Sequence, residues 1–177
     1  EPFNPLTLAL GAGATFIART IDKESKHMQE MINESYHHKG TSFLEIYQNC
    51  NIFNDGAFSS FTDRDTKNDT VLRLKDGEPM VFGAESDKGI RLDGNIPTVV
   101  ELGDKWSKDD LLVHNKKDYM IASMLSNMTS KPDTPEPIGV LYAIDAPTYE
   151  DNIASQIGSA VKNKPKSSIQ DIINSGD

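Results

Sequence analysis

The sequence predicts an α/β protein, in which a parallel-sheet unit is followed by a smaller α+β extension. Three observations predict it. Two β-prone runs, residues 15–21 and 42–47, enclose a stretch of helical periodicity. Strand, helix and strand in that order need a crossover, and a crossover makes the sheet parallel. Gly, Asp and short β-prone runs then dominate residues 56–105, and the remainder alternates helical stretches with one apolar strand. The expected organisation is a parallel-sheet part over 1–55, an α+β extension over 56–147, and a helix with a mobile tail over 148–177.

Asn4 is placed to cap a short helix, with Pro5 at its first position, where a missing N–H costs nothing. Leu6, Leu8, Ala9 and Leu10 follow, and Gly11 and Gly13 stop it. Residues 15–21 are β-branched, aromatic and nearly uncharged, as a buried strand is. Asp22 is expected to cap the next helix, which runs to about Lys39 with Met28, Ile32 and Tyr36 on one stripe, Met31 and Ser35 beside them, and Gly40 at its end. Ser42 to Tyr47 form the second strand.

In the middle third, Val71 to Leu74 and Met80 to Phe82 flank a Lys-Asp-Gly-Glu-Pro turn, the pattern of a hairpin. Gly89 to Leu92 and Thr98 to Leu102 extend the expected small sheet. Ser107 and Asp110 form a capping-box pair, as do Thr148 and Asp151. A helix is predicted from Tyr119 to Met128, with Met120, Ile121, Met124, Leu125 and Met128 as its apolar stripe. Pro132, Pro135 and Pro137 are expected to break regular structure before a strand over 138–144. Beyond Pro165, Ile169, Ile172 and Ile173 mark one short amphipathic segment.

Composition narrows the function classes. The net charge is −9, from 27 acidic and 18 basic residues, the wrong sign for general binding to nucleic acid or anionic lipid. No stretch approaches the roughly 20 apolar residues of a membrane span. The first residues do not form a signal peptide, and the missing initiator Met suggests an excised piece. One cysteine excludes an internal disulfide framework and fits a reducing cytoplasm.

Few residues offer chemistry. Gly11-Ala12-Gly13-Ala14 lacks the third glycine and preceding strand of a dinucleotide fingerprint. His37 and His38 are adjacent on a helix, about 100° apart, so they do not converge on one ion, and His27 is poorly phased with them. Glu45, inside an apolar strand, is either a perturbed acid or base, a residue at a strand edge, or a partner for Arg19 on the neighbouring strand. Cys50 stands just beyond the C-terminal end of a parallel strand, where α/β folds place ligands. It is either a small apolar filler or a thiolate whose sulfur accepts backbone hydrogen bonds.

The run from Pro2 to Arg19 (PFNPLTLALGAGATFIAR) resembles the β subunits of 2-oxoacid:ferredoxin oxidoreductases, most closely those of 2-oxoglutarate enzymes. So does the stretch EIYQNCNIFNDGAF around Cys50. Two later segments, VFGAESDKGIRL and PIGVLYAIDAPTYEDNIASQI, resemble the same family's C-terminal extension. Four segments in the family's order span nearly the whole chain.

The resemblance implies the C-terminal part of a thiamine-diphosphate-binding-type domain, belonging to an enzyme that oxidatively decarboxylates a 2-oxoacid onto coenzyme A. It implies thiamine diphosphate with Mg2+, a [4Fe-4S] cluster, ferredoxin as electron acceptor and an α subunit as partner. One residue carries over: Cys50 matches the fourth cluster ligand. The other three cluster cysteines and the Gly-Asp-Gly magnesium motif are expected upstream of Glu1. This piece alone is therefore expected to be inactive, to hold no cofactor and to self-associate. The competing expectation is an autonomous protein-interaction module without catalysis.

Overall fold

The computed structural model describes residues 3–128, 133–163 and 168–176. Two compact units divide the chain, Glu1–Asp145 and Ala146–Asp177.

The first unit opens with α1 (Pro5–Gly11), where the Asn4 side chain accepts from the Thr7 amide at 3.1 Å and Pro5 begins the helix. Gly13 then takes a left-handed φ of +86°, the turn that lets the chain enter β1 (Phe16–Ile21). After α2 (Ser25–His37), β2 (Ser42–Tyr47) pairs with β1 in parallel, Arg19 opposite Glu45. Short helices α3 (Ser59–Thr62) and α4 (Lys67–Thr70) lead to β3 (Val71–Arg73). Strands β4 (Val81–Phe82), β5 (Lys88–Asp93) and β6 (Ile96–Glu101) form a small antiparallel sheet. A 3-10 turn over Lys108–Asp110 carries the Ser107–Asp110 capping box. Helix α5 (Tyr119–Ser126) and strand β7 (Glu136–Ala143) complete the unit.

The main sheet has the order β2-β1-β7-β3. Pairings β1–β2 and β3–β7 are parallel, and β1–β7 is antiparallel. Strand alternation sends Ile17, Arg19 and Ile21 to one face and Phe16, Ala18 and Thr20 to the other. On the first face Leu6, Leu10, Ile17, Leu72, Leu125 and Leu141 are buried together with Phe82 and Ile90 of the small sheet. On the other, Phe16 and Ala18 pack against Met31 of α2.

Several expectations are corrected here. Val71 to Leu74 and Met80 to Phe82 do not form a hairpin: β3 pairs with β7, and the Leu74 amide donates to Ile138 O at 2.9 Å. The Asp-Gly turn exists, with Gly77 at φ +78°. The chain after it, however, is occupied by residues 112–114, through Met80 N to Leu112 O and His114 N to Glu78 O. Pro137 does not break structure; it lies inside β7, opposite Leu72. Asp22 is not the cap of α2: Glu24 holds that position, and Asp22 accepts from the Asn49 amide at 3.3 Å.

On α2 the buried side falls at Met31, which stands beside the expected stripe, and not at its centre. Ile32 and Tyr36 are exposed, and Met31 is buried. Polar residues can turn inward because each finds a partner: His27 Nδ1 meets Thr20 Oγ1 at 2.7 Å and His38 Nε2 meets Thr15 Oγ1 at 2.9 Å. On α5, Met120 is exposed, while Ala122 and Leu125 are buried.

The second unit holds α6 (Tyr149–Asn163) and α7 (Ile169–Asn174). The Thr148–Asp151 box caps α6, with the Asp151 amide donating to Thr148 Oγ1 at 3.1 Å and the Thr148 amide to Asp151 Oδ2 at 3.2 Å. Tyr149, Ile157, Val161, Ile169, Ile172 and Ile173 are exposed. Pro132 and Pro165 lie outside the described residues.

Candidate functional site

The end of β2 is joined to the end of β1 by the Asp22 amide, which donates to Tyr47 O at 3.0 Å. From there the chain makes a tight loop around Cys50. The Asn54 amide donates to Cys50 O at 2.9 Å, closing the turn. The nearby backbone amides of Phe53 and Ile52, and more weakly that of Asn54, lower the Cys50 pKa below the usual thiol value. Donors fixed in this way stabilise negative charge on sulfur. The thiol is partly exposed.

Asn49 fastens this loop. Its Nδ2 donates to Asn51 Oδ1 at 2.8 Å and to Asp55 Oδ1 at 2.9 Å. Its Oδ1 accepts from the Gly56 amide at 2.9 Å. Gly56 has φ +74°, a left-handed conformation that suits glycine. At the tip, Ile52 and Phe53 are 83% and 89% exposed.

Beneath the loop lies a buried polar cluster. Arg19 Nε donates to Glu45 Oε2 at 2.6 Å, and Arg19 Nη1 donates to Glu136 Oε1. Tyr47 donates its hydroxyl to the same Glu136 oxygen at 3.2 Å. The Tyr47 ring lies 5.0 Å from the Arg19 guanidinium and stacks on Phe58 at 4.6 Å. Burial, reinforced by the Glu136 carboxylate, raises the Tyr47 pKa above its ordinary value.

Of the sequence's candidates, Glu45 is the partner of Arg19. The histidines do not converge. His27 and His38 bond separate threonine hydroxyls, and His37 meets its own helix at Asn33 O, 2.9 Å away. His114 is buried, with Nε2 on Val140 O at 2.8 Å. Among the described residues, no group of three or more His, Cys, Asp and Glu is placed to hold a metal ion. Sequence reasoning missed Glu136, Tyr47 and Asn49. The only signal for Glu136 was a carboxylate at the head of an apolar run.

No protein-family model matches the chain. The 2-oxoglutarate oxidoreductase subunit KorB of Mycobacterium tuberculosis is 33% identical over 162 residues, which make up 90% of this chain and 43% of the relative. The chain is a homologue of the C-terminal part of such β subunits. A second relative of this β-subunit homologue is the 2-oxoacid:ferredoxin oxidoreductase subunit beta of Saccharolobus solfataricus. It is 28% identical over 163 residues, covering 92% of the chain and 43% of the relative. The homologue thus spans less than half the length of these curated relatives.

The fold agrees. A solved 2-oxoglutarate:ferredoxin oxidoreductase from Magnetococcus marinus, with 2-oxoglutarate, coenzyme A and succinyl-CoA bound, superposes with a TM-score of 0.62 at 21% identity. The superposition covers all of this chain and 45% of that one. The mixed, mostly parallel sheet of this homologue is the expected α/β architecture. No helix among the described residues is long and apolar enough to cross a membrane.

Proposed function

We propose that this chain is part of the β subunit of an enzyme that oxidatively decarboxylates 2-oxoglutarate onto coenzyme A and passes electrons to ferredoxin. A 2-oxoacid and a thiol give an acyl thioester and CO2, releasing two electrons and a proton. Thiamine diphosphate with Mg2+, when bound, supplies the electron sink for decarboxylation, and a [4Fe-4S] cluster carries the electrons away. No residue of this chain is assigned to thiamine diphosphate or to coenzyme A. The partner in the working complex is an α subunit, in the cytoplasm.

The observation that carries this reading is the setting of Cys50. A partly exposed thiol just beyond the C-terminal end of a parallel strand, its pKa lowered by nearby backbone amides, suits a cluster thiolate. Cys50 fits as one of four ligands, the other three coming from other parts of the subunit. The names of the curated relatives and the bound ligands of the solved neighbour support the substrate class.

Full-length β subunit in its complex, carrying Cys50→Ser, tests the assignment. The expected result is loss of the [4Fe-4S] electron paramagnetic resonance signal, with iron content reduced. A normal signal and iron content would overturn it.

A further inference from the structure

We draw no further inference here: the strongest candidate, the exposed apolar stripe of helix α6 at Tyr149, Ile157 and Val161, carries none because nothing in the structure shows what covers it.

Discussion

Arg19 on β1 donates to the carboxylate of Glu136 on the adjacent strand β7, and both side chains are almost completely buried, at 2% and 1% exposure. The same guanidinium also binds Glu45 on β2, so one arginine joins three neighbouring strands. Removing one partner from a buried ion pair leaves uncompensated charge, which costs about 3–5 kcal/mol. Arg19→Met is expected to lower stability by that amount in urea unfolding. The triple replacement of Arg19, Glu45 and Glu136 by apolar residues of similar volume should restore much of the loss. If Arg19→Met alone unfolds like the unaltered protein, the cluster does not stabilise the sheet.

The Tyr47 hydroxyl has a narrower role. It donates to a carboxylate that Arg19 already binds, while its ring is held by stacking on Phe58. Tyr47→Phe keeps the ring and removes the donor. Stability is expected to fall by about 1.5–3 kcal/mol, the range for a hydrogen bond to a charged group. Near-ultraviolet circular dichroism should be little changed, because the stack persists. Collapse of that spectrum would instead mean that the hydroxyl positions the ring.

Much of the local structure was legible in the sequence, because its causes are local. The β1–α2–β2 order follows from strand composition and helical period, and the caps at Asn4, Ser107 and Thr148 follow from residue type and spacing. The main error was of another kind. Val71 and Glu136 pair although 65 residues separate them (136 − 71), and no window of sequence contains that information. Period put Met31 beside the stripe of α2 but could not show that Ile32 and Tyr36 stay exposed while His27 meets Thr20. Cys50 was visible as an isolated thiol beyond a strand. Asn49 was not, because an asparagine in a polar loop has no pattern until the loop closes on it.

Gly139 shows how tightly β3 and β7 approach. Its φ is +112°, and a Cβ there would stand 3.1 Å from Leu74 O and 3.3 Å from Leu74 Cβ. Leu74 cannot retreat freely, because its amide bonds Ile138 O at 2.9 Å. Gly139→Ala should cost about 1–3 kcal/mol from backbone strain alone. Gly103→Ala is the control, since nothing lies within 4 Å of its Cβ position. That variant should stay within about 0.5 kcal/mol of the unaltered protein. Equal effects of the two, measured by thermal unfolding, would remove the argument.

His114 makes stability depend on pH in a defined direction. Its Nε2 faces the Val140 carbonyl, an acceptor only, so Nε2 carries the proton and Nδ1 is left with its lone pair. Nδ1 is buried and has no hydrogen-bond partner among the described residues. Burial lowers the His114 pKa, with Lys116 acting in the same direction and the Val140 carbonyl and Asp76 opposing. His27 is lowered as well, by burial and then by Arg73. The unfolded chain, with histidine near its ordinary value of about 6.5, binds more protons than the folded one below that pH. Stability is therefore full above about pH 6.5 and is lost as pH falls toward the folded values, by at most about 1.4 kcal/mol per pH unit for each histidine. His114→Gln keeps a donor for Val140 and cannot titrate. Urea midpoints between about pH 5 and 7 should fall less steeply with acid in this variant. An identical slope in the two proteins would show that His114 takes up its proton in the folded state as easily as in the unfolded one.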